Sequence, residues 1–166
     1  MKLIKLTALS SLFLGLTFGI TSCEKNAEKK KTTDYEKKGI PMTAAQENNP
    51  LNTSTALGSL DVSYTKETRI LTYNFNWSGL TGSVSVFHIH GTAPTGFNAA
   101  VLQTFDATKI VKCATFTTTT CGSYSGTLLV DGVIIKEDDL LNGNYYVNIH
   151  TATYSGGEIR GQIRFQ

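Results

Sequence analysis

Beyond Pro50 the sequence predicts an all-β fold, an antiparallel sandwich or barrel, and three observations carry that expectation. Short runs rich in Val, Ile, Thr, Tyr and Phe are separated by Gly, Asn and Asp. Leu71, Tyr73, Phe75 and Trp77 alternate with Thr72, Asn74 and Asn76, which places four large side chains on one face of a strand and amides on the other. No long stretch of this region has a helical period, and no unit of 20 to 50 residues repeats, which excludes a solenoid or propeller.

The chain opens differently. Lys2 and Lys5 precede an almost purely apolar run from Leu6 to Ile20, and the small residues Thr21 and Ser22 stand before Cys23. This is the layout of an export signal, and the run is too short for a comfortable membrane span. Ile20-Thr21-Ser22-Cys23 resembles the lipobox of bacterial lipoproteins. The resemblance implies cleavage after residue 22, a lipid on Cys23 and a bacterial cell envelope location, expected at the outer membrane and facing either the periplasm or the surface. Cleavage leaves 144 of the 166 residues, the size of one domain.

From Glu24 to Asn49 there are six Lys and five acidic residues, with Tyr35, Ile40 and Met42 the bulky apolar exceptions. Such composition buries too little to offset ordering entropy, so residues 23–49 are expected to be a disordered charged tether and 50–166 the folded domain. Lys2 and Lys5 account for the whole net charge of +2. A neutral domain without a basic cluster has no counterion release to drive nucleic-acid binding, and DNA and RNA are excluded as partners.

Within the domain, strands are expected near 54–64, 71–77, 83–90, 99–105, 109–117, 124–130, 145–151 and 158–165, with a helical turn within 135–141 before Asn142-Gly143-Asn144. Cys113 and Cys121 are the two cysteines left once Cys23 is lipidated, and in an oxidising compartment they are expected to pair. Closing so short a ring stabilises by roughly 2 to 3 kcal/mol in the chain-entropy model. A redox pair or half a metal site are the weaker alternatives, since the spacing is not Cys-x-x-Cys.

The chain has three histidines. His88 and His90 stand two apart on a predicted strand and project from one face. In the penultimate strand Tyr146, Asn148 and His150 share a face opposite Tyr145, Val147 and Ile149; in the last, Glu158, Arg160, Gln162 and Arg164 oppose Ile159, Gly161, Ile163 and Phe165. Matching the apolar faces sets His150 opposite Glu158 and Asn148 opposite Arg160.

Val86 to Leu102 (VFHIHGTAPTGFNAAVL) and Gly143 to Ile163 (GNYYVNIHTATYSGGEIRGQI) strongly resemble the two signature blocks of the CHRD, or chordin, domain family, and the likeness extends over most of 55–165. It implies a single immunoglobulin-like Greek-key β-barrel. It also implies an extracellular interaction role, since in chordin such modules are associated with binding growth factors. Ala99-Ala100 follows Asn98 where the family often has Gly-Pro. His88, His90, Asn148, His150, Glu158 and Arg160 match the family pattern.

Two readings of these residues stay open. Three neutral imidazoles can hold Zn(II) or Cu(II) with one position free, with Glu158 orienting an imidazole N–H. Alternatively the histidines are structural, bonded to backbone or to Glu158. His-x-His on a Greek-key strand resembles copper-zinc superoxide dismutase, yet a complete site like that family's takes about six histidines and an aspartate. A three-His hydrolase with Glu158 as base has no supporting motif. Arg160 and Glu158 can also be a solvated cross-strand ion pair, Gly156-Gly157 a turn device, and Tyr145, Tyr146 and Tyr154 either packing residues or a platform for a glycan. The expectation is therefore a non-catalytic, membrane-anchored binding module for a protein or glycan, with a three-His metal protein as the alternative.

Overall fold

Leu71, Tyr73, Phe75 and Trp77 form the inward row of the central strand and are all buried, while Asn74 and Asn76 are exposed. The computed structural model describes residues 34–166. The expected leader (1–22), the lipid site at Cys23 and the first part of the expected tether lie outside the described residues.

Nine strands occur among the described residues: β1 (Tyr35–Thr43), β2 (Leu57–Thr65), β3 (Ile70–Ser78), β4 (Val84–Gly91), β5 (Val101–Thr104), β6 (Val111–Lys112), β7 (Gly122–Leu129), β8 (Tyr145–Thr151) and β9 (Ile159–Gln162). One short helix, α1 (Glu137–Leu141), lies in the expected helical turn. The strands form one antiparallel sheet in the order β5-β4-β8-β9-β1-β2-β3-β7-β6. The sheet curls on itself, because β3 and β4 are far apart in that order yet Phe75 and Phe87 have ring centroids 6.1 Å apart. Phe87 and Tyr124 meet edge to face at 4.9 Å. At the open seam Tyr73 Oη donates to Gln103 Oε1 at 3.0 Å, and Gln103 Nε2 donates to the Thr127 carbonyl. The result is the all-β curled barrel that the alternation predicts, with crossing connections β3 to β4 and β7 to β8.

Cys113 and Cys121 form the expected disulfide. The loop it closes joins the two halves of the barrel: Trp77 Nε1 donates to the Thr119 carbonyl at 2.8 Å and Val84 N–H donates to Thr119 Oγ1 at 2.8 Å. The strand expected over 109–117 shrinks to the two exposed residues of β6, because the rest of that segment belongs to the disulfide loop.

The tether expected over 23–49 is corrected from Tyr35 onward. Ile40 and Met42 point into the core, and β1 pairs along its length with β2 and at Thr43↔Arg160 with β9. Tyr35 packs against the edge of the core and residues 36–39 and 41 face solvent, so the strand has the composition of a linker. Gly39, at φ 68°, makes the bulge between Lys37 and Ile40, and its N–H is held by Asp61 Oδ1 at 2.8 Å. The domain therefore begins before residue 50. A fragment starting at residue 46 leaves the inner edges of β2 and β9 unpaired and is expected to aggregate, whereas one starting at Glu24 is expected to unfold cooperatively in urea; equal stability of the two would contradict the place of β1.

Candidate metal centre

On β4 the side chains of Phe87 and Ile89 enter the core, so His88 and His90 leave it on the other face. The same alternation on β8 buries Val147 and Ile149 inward and turns Tyr146, Asn148 and His150 outward. The two strands pair with Val86↔His150, His88↔Asn148 and His90↔Tyr146, which sets the three imidazoles on one patch of the sheet. One ring nitrogen from each lies within 4.8 Å of the others.

The hydrogen bonds fix which nitrogens are free. His90 Nδ1 lies 3.0 Å from the Ala99 carbonyl and His150 Nδ1 lies 2.9 Å from the Ser155 carbonyl. A carbonyl only accepts, so both Nδ1 atoms carry the proton and both Nε2 atoms present lone pairs. Among the described residues His90 Nε2 is buried and makes no well-formed hydrogen bond, although the Asn148 side chain interacts with the ring. His150 Nε2 lies 3.2 Å from His88 Nδ1 and 3.0 Å from the Asn148 side-chain amide, which donates to it through its NH2 group in the orientation this tautomer requires. Tetrahedral coordination at 2.0 to 2.1 Å separates nitrogens by about 3.3 Å. The His88–His150 pair already has about this spacing, and a ring nitrogen of His90 lies within 4.8 Å of one on each of the other two.

All three rings are held neutral. Burial, and then the neighbouring His150 and His90, push His88 down to about 4. His90 is lowered by burial against the opposing bond to Ala99, and His150 by burial against its bond to Ser155. A metal meets little proton competition at such a site near neutral pH.

A second, polar core covers this outer face. Arg160 is fully buried, and its guanidinium lies 3.4 Å from the centroid of the Tyr146 ring. Tyr146 stacks on the His90 ring at 4.9 Å and 7°. Arg160 Nη1 donates to the Phe97 carbonyl, Nη2 to the Pro94 carbonyl and to Gln162 Oε1, and Nε to Gln162 Oε1. Gln162 Nε2 in turn donates to the carbonyls of Ala93 and Gly143. These bonds pin the segment 93–99, and with it the Ala99 carbonyl that orients His90. The cross-strand register is the expected one, Asn148↔Arg160. The expected solvated ion pair is not: Arg160 is capped by carbonyls and an amide.

Glu158 does not orient an imidazole. β9 begins at Ile159, and Gly157 at φ 124° turns the chain just before Glu158, so the alternation does not extend to it. Its carboxylate is buried and accepts from Ser54 Oγ, Thr81 N–H, Thr81 Oγ1 and Thr151 Oγ1, closing the barrel end. The orienting acceptors of His90 and His150 are main-chain carbonyls instead. Tyr145 and Tyr146 are both buried, so they form no surface platform for a glycan.

Glu47 belongs to this polar core and lay hidden in the expected tether. Burial pushes its carboxyl up to about 7 against the pull of Arg160 and Asn148, and its Oε1 has no partner. A Cβ at Gly157 would collide with that oxygen. The unfolded carboxyl titrates near 4.5. The folded chain therefore holds its proton longer, and stability is lost as pH rises from 4.5 through 7. Replacing Glu47→Gln removes this loss. The variant's advantage in urea unfolding is expected to be small at pH 5 and to reach about 2 to 3 kcal/mol at pH 8; an advantage that does not grow with pH would contradict the buried carboxyl.

Fold and site together define an all-β barrel that carries a buried polar layer and three convergent imidazoles on its outer face. The model of the CHRD domain matches residues 39–163, and the chain belongs to the CHRD domain family. The match starts inside β1. No curated protein and no solved structure matches the chain.

Proposed function

We propose that this CHRD-domain protein is a lipid-anchored envelope protein whose domain binds rather than catalyses, and that one ligand of the domain is a single Zn or Cu ion held by His88, His90 and His150. One observation carries the metal reading: one ring nitrogen from each of His88, His90 and His150 lies within 4.8 Å of the others. A structural histidine usually satisfies both nitrogens, and a buried unpaired nitrogen beside two other imidazoles is suited to an electrophile. His88 is only partly buried, which leaves the centre open toward solvent on one side. The anchor reading rests on Lys2, Lys5, the apolar run and the lipobox-like Ile20 to Cys23, and the disulfide suits an oxidising compartment.

Metal content by mass spectrometry tests the centre. The chain from Glu24 to Gln166 is incubated with Zn(II) or Cu(II) and exhaustively desalted, beside a triple alanine variant at His88, His90 and His150. One ion per chain in the parent and none in a variant that still folds is the expected result. A metal-free parent, or an equally loaded variant, contradicts the site.

A further inference from the structure

Between β7 and α1 the chain makes a tip whose two aliphatic side chains have nothing to pack against. Val133 is 76% and Ile134 70% exposed, while the next residue, Ile135, is buried. This tip is not a loose loop. Asp131 Oδ1 accepts from the N–H groups of Val133, Ile134 and Ile135 at 2.8 to 2.9 Å, and Gly132 N–H donates to the Ile135 carbonyl. Arg69 Nη1 donates to the Asp131 carbonyl, and Val130 N–H donates to the Arg69 carbonyl, so the tip is fastened to the β2–β3 turn. Leu129, half exposed at the end of β7, extends the apolar patch.

The place where the chain enters the domain gives this tip its partner. Asp34 N–H donates to the Tyr64 carbonyl, and Asp34 Oδ2 accepts from Lys66 N–H in the same β2–β3 turn. The Lys66 ammonium and Tyr64 Oη both reach Glu137, at the start of the helix that follows the tip. The N-terminal chain thus arrives at the end of the barrel that bears Val133 and Ile134. Cys23 lies eleven residues before Asp34, a span of at most about 40 Å when fully extended. A lipid on Cys23 would hold the Asp34 end of the barrel within that distance of the bilayer.

We propose that Val133 and Ile134 insert into the lipid surface and hold the barrel upright on the membrane. The inference deepens the anchored-protein reading and rests on it for the local concentration of lipid. A tether this short makes docking effectively intramolecular, so two aliphatic side chains suffice to orient a domain they could not recruit alone. Acidic residues 131, 137, 138 and 139 and basic residues 66, 69 and 136 are mixed around the tip, so the contact is apolar and is expected to be insensitive to salt.

The test places a tryptophan at the tip of the full chain, Ile134→Trp, with the protein reconstituted in phosphatidylethanolamine–phosphatidylglycerol vesicles. The native Trp77 is buried and supplies a constant background. Val111→Trp is the control, on exposed β6, which pairs with the end of β7 away from Leu129. Insertion predicts a blue shift and loss of quenching by a water-soluble quencher for Ile134→Trp, in low and high salt, with neither change for Val111→Trp. An unshifted Ile134→Trp overturns the proposal, as does a shift that appears without vesicles and grows with protein concentration, which marks a second copy as the occupant. Intact mass of the purified chain reports acylation of Cys23 separately. An unacylated chain refutes the anchor and the insertion that rests on it, whereas an acylated chain with an unshifted tip refutes insertion alone.

Discussion

Replacing Arg160→Ala is expected to cost about 3 to 5 kcal/mol of stability, among the largest effects of any single change in this domain. The guanidinium is wholly buried and is the donor for the carbonyls of Pro94 and Phe97 and for Gln162 Oε1. Truncation leaves all three acceptors without the donor that spans them. It also removes the cation over Tyr146 and the nearest positive charge to Glu47. Arg160→Lys is expected to recover little, because one ammonium cannot reproduce the fork that spans both carbonyls and the amide. Urea unfolding at neutral pH measures both. A loss below about 1 kcal/mol for Arg160→Ala would show that the segment 93–99 is held by something else.

Metal affinity should fall steeply and unequally when single histidines are removed. His90→Ala and His150→Ala each take away a nitrogen whose direction is preset by a main-chain carbonyl, and each is expected to weaken binding by more than about 100-fold, beyond the 10- to 100-fold typical of losing an outer partner alone. His88 is the least buried of the three and has no backbone acceptor, so its imidazole pays ordering entropy on binding, and His88→Ala is expected to cost less. Competition titration with a chromophoric chelator gives the ranking. Because all three rings are held below the ordinary histidine range, the parent's affinity should change little between pH 8 and pH 6 and fall as the rings protonate at lower pH. A drop centred near 6.5 would mean that the rings are not desolvated as described.

Much of this architecture is legible in the sequence where a periodic signal exists. The alternation through Leu71 to Trp77 names the inward row of β3, and Tyr145 to Thr151 marks β8 residue for residue. The same period of two sends His88, His90 and His150 to one side of the sheet and sets Asn148 against Arg160. Where an element obeys a different constraint, the pattern misleads. β1 offers the core only Tyr35, Ile40 and Met42, interrupts its alternation at Gly39, and so has the look of a solvated linker. Glu47 disappears with it.

The polar face is read in the wrong solvent for a related reason. Arg160, Gln162 and Asn148 alternate like residues of a wet face, and only the segment 93–99 folding over them turns that face into an interior. No local periodicity announces that coverage, since it depends on backbone carbonyls of a loop. Glu158 fails for a third reason, the glycine turn that takes it out of the strand before the alternation applies.

X-ray absorption at the metal edge of the loaded protein tests the central claim most directly. One ion bound by three nitrogens at about 2.0 Å, with the outer-shell scattering of three imidazoles, is expected, with loss of one imidazole in His90→Ala. An ion bound by fewer than two imidazoles, or a spectrum unchanged by that substitution, would contradict it and return the three histidines to a structural role.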